Sequence, residues 1–193
     1  MSLSKGIIFV SVLASALLAA SRFIEADARG GALTQLDGED GCVNNDGAEG
    51  CAVGRALDGP GRVAVSRDGK SVYVASVSTE GSEGGVAVFA RDRKTGALTQ
   101  LDGQDGCVNH DGAEGCAVGR ALDRPREVAV SRDGKSVYVA SVAGDESEEG
   151  VAVFARDRRT GALTQLDGED GCVNHDGAEG CAVGRTLAPE TWS

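Results

Sequence analysis

The chain has few of the residues from which enzyme pockets and nucleic-acid surfaces are usually built. Aromatic side chains make up 4% of its 193 residues, and there are two histidines and one tryptophan. Lysine and arginine number 19 against 30 acidic residues, which gives a net charge of −11. Because phosphate binding needs a basic surface, this balance argues against nucleic acid as a partner. The core must be built from Val, Ala and Leu, a composition typical of β-rich repeats.

Long apolar runs are also scarce, and the single one lies at the N-terminus, over residues 6–20. It is short for a membrane span, which needs about 20 residues. Lys5 precedes it, and small residues at Ala26 and Ala28 suit a cleavage site. Residues 1–28 are therefore predicted to be a signal peptide, with an uncleaved anchor as the alternative. We expect a secreted, periplasmic or cell-surface protein that has no membrane contact after cleavage.

A 65-residue unit is written almost three times in this sequence. The octapeptide at Gly31 recurs at Gly96 and Gly161, and residues 31–95 differ from residues 96–160 at 11 positions. Self-similarity at a fixed period is the signature of a repeat architecture. A residue present in every copy is therefore expected to belong to the scaffold.

Each full repeat contains four short strand patterns rich in Val and small residues, separated by turns such as Asp68-Gly69. The patterns lie at 62–66, 71–77, 85–90 and 97–101, and again at 127–131, 136–142, 150–155 and 162–166. Residues 78–84 form a polar connection between the second and third of them. Both faces of these strands are small or apolar, so each sheet must be sandwiched between others, as in a β-propeller. The predicted fold is all-β, with four-stranded antiparallel blades in an incomplete ring and disulfide-bridged loops between blades.

The predicted organisation follows from this repeat. After the signal come an outer strand and first Cys loop (29–61), blade 1 (62–101), a second Cys loop (102–126), blade 2 (127–166), and a third Cys loop with a tail (167–193). The leading outer strand is expected at 32–36. Two blades leave two apolar sheet faces without partners. We expect either a fragment of a longer propeller or the assembly of several chains into one ring.

Six cysteines fall in three identical pairs, each with eight intervening residues. An even, periodic cysteine count in an exported chain predicts disulfides, most simply one within each repeat. The predicted bridges are Cys42–Cys51, Cys107–Cys116 and Cys172–Cys181. A zinc site is the alternative, but the nearby His110 and His175 are replaced by Asn45 in the first copy.

The Cys loops are rich in carboxylates, which raises the question of calcium. Candidate ligands are Asp37, Asp40, Asp46, Asp102, Asp105 and Asp111. Calcium prefers such oxygen ligands, yet the spacing fits no known calcium loop. A solvated acidic loop is the favoured interpretation, with no cofactor and no resident metal.

Catalytic residues are not predicted. His110 and His175 stand beside no recognisable nucleophile and are interpreted as loop surface residues. Arg55, Arg120 and Arg185 recur just after each second cysteine, where pairing with loop carboxylates would be structural.

Residues 63–76 and 128–141 (Val-Ala-Val-Ser-x-Asp-Gly-Lys-x-Val-Tyr-Val-Ala-Ser), followed by Gly-Val-Ala-Val-Phe and Thr-Gly-Ala-Leu-Thr-Gln-Leu, resemble YVTN and lactonase-like propeller repeats. The resemblance implies a propeller blade. It also raises the alternative of a lactonase-like hydrolase, similar to 6-phosphogluconolactonases and carboxymuconate cyclases, or a fragment of one. Propellers host both enzymes and binding proteins, so the fold alone does not decide between them. Since no catalytic residues are predicted, the leading prediction is a non-catalytic binding or structural module. Its expected partners are a protein or carbohydrate ligand, or copies of itself through the exposed blade faces.

Overall fold

The computed structural model describes residues 33–77, 84–142 and 149–185. The predicted signal peptide, most of the polar connection at 78–84 and the tail after residue 185 lie outside the described residues. Contacts divide the chain into two units, residues 1–34 and 35–193, and every element below belongs to the second unit. Within the described ranges no helix is long and apolar enough to cross a membrane.

The described residues form fourteen strands and six short 3-10 helices. The strands are β1 (Val43–Asn44), β2 (Ala52–Val53), β3 (Pro60–Val65), β4 (Ser71–Ser76), β5 (Gly85–Arg91), β6 (Leu98–Gln100), β7 (Cys107–Asn109), β8 (Ala117–Val118), β9 (Pro125–Val130), β10 (Ser136–Ser141), β11 (Gly150–Arg156), β12 (Leu163–Gln165), β13 (Cys172–Asn174) and β14 (Ala182–Val183). The 3-10 helices are Gly38–Gly41, Ala48–Gly50, Gly103–Gly106, Ala113–Gly115, Gly168–Gly171 and Ala178–Gly180.

Blade 1 is an antiparallel sheet in the order β3-β4-β5, with the outer edge of β5 shared by two short strands. β6 pairs with the Phe89–Arg91 end of β5, and β7 pairs with the Gly85–Ala87 end. Residues 101–106 bulge out between them. β8 then adds a parallel edge beside β7. Blade 2 repeats this arrangement with β9 to β14, which confirms the predicted all-β, propeller-type fold with an open ring.

The strand sequences explain these pairings. Alternating Val with small or aromatic residues in β4 and β5 suits a pleated surface buried on both sides. The β3–β4 turn closes through Gly69, whose φ of +69° favours glycine. Ser66 Oγ donates to Asp68 Oδ1 (2.6 Å), and this ties the turn to the end of β3. The strand patterns therefore lie where they were predicted, with ends shifted by a residue or two.

The prediction of a leading outer strand was wrong, and the Cys loops do more than was predicted. The Cys loops are not only connections between blades, because β7, β8, β13 and β14 belong to the blade sheets. No strand is present at residues 33–36. The equivalent β6 pairs with the third strand of its own blade, and no described strand offers that edge to residues 33–36. The first loop keeps only the two-stranded sheet β1–β2.

The core has two parts, one on each face of blade 1. The larger part joins the face of blade 1 that carries Tyr73 and Val88 to the face of blade 2 that carries Val137 and Phe154. The smaller part covers the opposite face of blade 1 with Ala56 and other residues of the first Cys loop. Tyr73 is fully buried, as a core residue should be. Tyr138, its equivalent in blade 2, is 41% exposed, although its place in the middle of an apolar strand pattern predicts a core residue.

Candidate functional site

All three predicted disulfides are present: Cys42–Cys51, Cys107–Cys116 and Cys172–Cys181, with Cα separations of 4.8, 4.8 and 4.7 Å. In repeats two and three, the first cysteine begins the strand that pairs with the blade. Each bridge therefore closes the loop between the two parallel edge strands. Disulfides that close such a loop suit the oxidising environment expected for an exported chain.

Side chains within each Cys loop are used to cap the loop backbone. The buried Asn109 amide donates to Ala113 O (3.1 Å) and accepts from Gly112 N (2.8 Å). Asp111 Oδ1 accepts from Ala113 N at 2.8 Å. The same contacts recur in the other two loops. These polar groups hold a loop whose many glycines would otherwise leave it without a fixed conformation.

Arg55 reaches across the repeat boundary into the second Cys loop. Its guanidinium donates four hydrogen bonds, all to backbone carbonyls. Nη1 contacts Glu114 O and Gly115 O at 3.3 Å each. Nη2 contacts Leu101 O at 3.2 Å and Gly103 O at 2.8 Å. The planar fork of arginine lets one side chain hold both the bulge and the tip of the next loop.

Gln100 and Glu114 complete this contact from the other side. The Gln100 side chain accepts from Arg55 N (2.8 Å) and donates to Arg55 O (3.0 Å) and Gly106 O (2.9 Å). Glu114 Oε2 accepts from Ala56 N at 2.6 Å. We call Arg55, Gln100 and Glu114 bridging cluster 1, because together they join the first Cys loop to the outer edge of blade 1.

Bridging cluster 2 consists of Arg120, Gln165 and Glu179 and repeats this geometry one unit later. Arg120 donates to the carbonyls of Glu179, Gly180, Leu166 and Gly168. Glu179 Oε2 accepts from Ala121 N at 2.7 Å. For Arg55 and Arg120 the prediction of pairing with loop carboxylates was wrong, because their guanidinium partners are carbonyl oxygens. For Arg185 it stays a prediction. The loop carboxylate instead accepts from the amide of the residue after the arginine.

Arg156 is a buried cation between the two blades, 6% exposed. Its Nε donates to the Tyr73 hydroxyl (2.7 Å), and Nη2 donates to Ser71 Oγ (2.9 Å) and Asp68 Oδ1 (3.4 Å). Nη1 binds Gly134 O in its own blade at 3.2 Å. The Tyr73 hydroxyl in turn donates to the carbonyl of Gly161, 2.8 Å away. Blade 1 therefore supplies two hydroxyls and a carboxylate to one arginine of blade 2.

The electrostatics of this contact follow from burial and charge. Burial raises the pKa of Tyr73 above its ordinary value of 10.0, although the charge of Arg156 opposes the rise. The Ser66 hydroxyl, donating to Asp68, lowers the pKa of that carboxyl, and Arg156 adds to the effect. Tyr73 is thus held neutral and Asp68 ionised. Both states suit a structural contact to a cation.

The predicted site residues lie apart from this contact. His110 is exposed and His175 is half-buried, each on its own Cys loop. In the described ranges, no group of three or more His, Cys, Asp or Glu side chains is arranged to hold a metal ion. The six calcium candidates lie at loop positions: Asp46 and Asp111 cap turns, and Asp37, Asp40, Asp102 and Asp105 lie at or in 3-10 helices. Calcium binding stays a prediction.

A groove of about 320 Å³ lies between the second Cys loop and the outer edge of blade 2. Its lining combines Gln104, Asp105 and Gln165 with the apolar side chains of Val108 and Phe154. The Gln165 amide already binds the backbone of bridging cluster 2. The remaining groups include no acid and base pair and no cation that could stabilise a developing negative charge.

Sequence reasoning missed two groups of residues that join the repeats. Gln100 and Gln165 fall within the predicted strand patterns 97–101 and 162–166, and Arg91 and Arg156 follow directly after the patterns 85–90 and 150–155. One feature of the sequence could have indicated a structural role for these residues, namely that they recur at 65-residue spacing. Repetition alone does not say that the partner lies in the neighbouring repeat.

The fold defines a β-propeller-type repeat protein with an open ring. No family model and no curated protein matches the chain. Two solved structures are similar in part: a candidate 6-phosphogluconolactonase from Bacteroides fragilis (28% identity) and another from Bacteroides uniformis (24% identity), both with a TM-score of 0.40. Each comparison covers 55% of this chain and 24% of the matched structure's chain, so the similarity spans about a quarter of the length of either structure. A TM-score this low supports no argument about activity, and membership of the YVTN family stays a prediction.

Proposed function

We propose that the chain is a non-catalytic propeller-repeat protein that acts as a structural or binding module. One observation carries the proposal: the polar residues present in successive repeats are used to hold the next repeat. Arg55 and Arg120 each donate to four backbone carbonyls, and Arg156 is buried between the blades. Residues engaged in this way are not available to bind or activate a substrate.

Hydrolysis would need a base or metal and a charge stabiliser that converge on one pocket. The two histidines lie on separate loops, 65 positions apart in the chain, and each cysteine is in a disulfide. The test is the hydrolysis of 6-phosphogluconolactone and a simple sugar lactone, with and without added divalent metal. We expect no rate above that of heat-denatured protein. Turnover that is lost in His110→Ala or His175→Ala would overturn the proposal and favour the lactonase alternative.

The groove beside the second Cys loop is the place where a carbohydrate could bind. Gln104 offers an amide and Asp105 a carboxylate, which are groups that hydrogen-bond sugar hydroxyls. Titration calorimetry with a set of neutral oligosaccharides tests this, using Asp105→Ala as the variant and Asp40→Ala as the matched control. Asp40 has the equivalent place in the first loop and does not line the groove. Binding that Asp105→Ala weakens and Asp40→Ala leaves unchanged would support a binding module, and equal loss in both would contradict the groove as its location.

A further inference from the structure

The two blades present equivalent surfaces in different surroundings. We define the front face by Tyr73 in blade 1 and its equivalent Tyr138 in blade 2, and the back face by Val63 and its equivalent Val128. Inside the chain, the front of blade 1 packs on the back of blade 2, and both Tyr73 and Val128 are buried. The other two faces are open in part: Tyr138 is 41% and Val63 is 64% exposed, whereas Val74 and Phe89 on the back of blade 1 are buried under the first Cys loop. Each open face is thus a copy of a face whose partner is visible.

The residues that form the polar contact between blade 1 and blade 2 have equivalents on the two outer faces of the chain. Arg156 on the back side of blade 2 binds Tyr73, Ser71 and Asp68 of blade 1. The equivalent residues are Arg91 on the back side of blade 1, and Tyr138, Ser136 and Asp133 on the front of blade 2. Arg91 already makes the bond to Gly69 O that Arg156 makes to Gly134 O. An interface between the two open faces would therefore reproduce the buried one.

A difference between the repeats points to the same pairing. Position 62 is Arg and its equivalent 127 is Glu, and the two side chains bond each other at 2.7 Å across the blade boundary. Identical blades would oppose like charges here. With Arg in blade 1 and Glu in blade 2, the next boundary again sets Glu127 of one copy beside Arg62 of another. The charges thus complement each other at both boundaries only if blades 1 and 2 alternate.

We propose that copies of this chain associate head to tail, with the front face of blade 2 in one copy against the back face of blade 1 in the next. In this interface Arg91 of one copy donates to the Tyr138 hydroxyl of the other, and Glu127 faces Arg62. The inference rests on the structural role proposed above and names the partner as a second copy. Burial of the exposed residues Tyr138 and Val63 adds an apolar contribution to these polar contacts.

Two Cys loops would occupy the same place on the back of blade 1 in this interface. Val43 and Ala56 of the first Cys loop pack on the back of blade 1 as Val108 and Ala121 pack on the back of blade 2. Val108 belongs to β7, at the outer edge of blade 1. In the head-to-tail interface, the third Cys loop of one copy would pack in the same way on blade 1 of the next copy. The first Cys loop of that next copy already lies there, so the two loops compete for one place. Residues 31–55 and 161–185 differ at a single position. The two loops therefore match closely up to residue 185, but Ala56 and Ala121 correspond to Thr186 in the third copy. In the proposed interface one loop fills the place and the other is displaced.

The test is sedimentation analysis of the full chain over a wide concentration range. We expect the mass to rise in multiples of 19.6 kDa. Tyr138→Ala and Arg91→Met should each weaken association by about tenfold or more, the loss expected for a buried charge-assisted hydrogen bond. Both should leave the melting temperature of the dilute chain nearly unchanged. The matched variants Tyr73→Ala and Arg156→Met change the same residues at the internal boundary and should lower that temperature instead.

A charge swap tests the direction of the pairing. Glu127→Arg alone should weaken association, and Arg62→Glu combined with Glu127→Arg should restore it. Mixed with the original chain, the double variant should assemble preferentially with itself, because mixed boundaries oppose like charges; the preference should be modest, since the pair is exposed. A chain that stays monomeric at every concentration would overturn the proposal. So would association that Tyr138→Ala and Arg91→Met leave unchanged. Neither outcome depends on whether a lactone is hydrolysed, so the two proposals fail separately.

Discussion

Arg156→Met is the substitution that most directly tests how the blades are held together. Methionine keeps much of the length of the side chain and its apolar stem but removes every donor. Four hydrogen bonds are lost, and three of them end on acceptors in buried residues, namely Tyr73, Ser71 and Gly134. The fourth ends on Asp68, which is exposed.

The magnitude follows from what is left behind. A buried acceptor without a donor costs about 1–3 kcal/mol, although the two hydroxyls can rotate towards other partners. Breaking a fully buried ion pair costs about 3–5 kcal/mol because one charge stays buried. Since Asp68 remains in contact with water, that penalty is largely absent. We therefore expect Arg156→Met to lower the free energy of unfolding by about 3 kcal/mol, a large share of the 5–15 kcal/mol typical of a domain.

The assay is urea unfolding of dilute protein followed by far-ultraviolet circular dichroism. Arg91→Met is the matched control, because Arg91 has the same place in blade 1 but is only partly buried. It should cost less than about 1 kcal/mol. An equal loss of stability in the two variants, or a smaller one in Arg156→Met, would refute the reasoning that the buried hydrogen bonds stabilise the boundary.

Three further predictions concern the same architecture. Glu114→Ala removes the acceptor for the amide after Arg55 and should cost about 1 kcal/mol in urea unfolding, whereas Glu49→Ala, the equivalent in the first repeat, should cost less. A larger loss in Glu49→Ala would contradict the assigned role. Replacing Cys107 and Cys116 together by Ala should lower stability by about 2–3 kcal/mol, and a melting temperature unchanged by reduction would argue against it. Because the native pKa of Tyr73 is raised, its contribution to stability is fully present below pH 10.0 and is lost as the pH rises through its native value. Tyr73→Phe should remove this dependence, and an unchanged alkaline profile would show that another group causes it.

The strands and disulfides could be predicted because their causes are local. Val-Tyr-Val in β4 and the Asp68-Gly69 turn favour a hairpin whatever surrounds them. The cysteine spacing brings two sulfurs together through a loop of fixed length. In each case the physical reason lies within a few residues of the feature.

The outer edge of each blade could not be predicted in this way. Glycine and aspartate over residues 102–106 indicate a loop, and the bulge does lie there. The strand resumes at Cys107 because the Gly85 end of β5 still has an open edge to pair. That edge lies more than 20 residues away, and nothing near Cys107 reveals it. The Arg55 contacts with Glu114 and Gly115 pose the same problem over 59 and 60 positions.

Tyr73 and Tyr138 show where sequence reasoning on a repeat meets its limit. The strands β4 and β10 have the same sequence, yet one tyrosine is buried and the other exposed. The difference arises entirely from the neighbour, because Arg156 covers Tyr73 and no described residue of this chain does the same for Tyr138. A repeat therefore encodes two complementary faces rather than one buried state. Blade 1 has Arg62 at the position where blade 2 has Glu127. This difference leaves the fold of each blade unchanged. It favours contact between a blade 1 and a blade 2 over contact between two identical blades, because only unlike blades place opposite charges together.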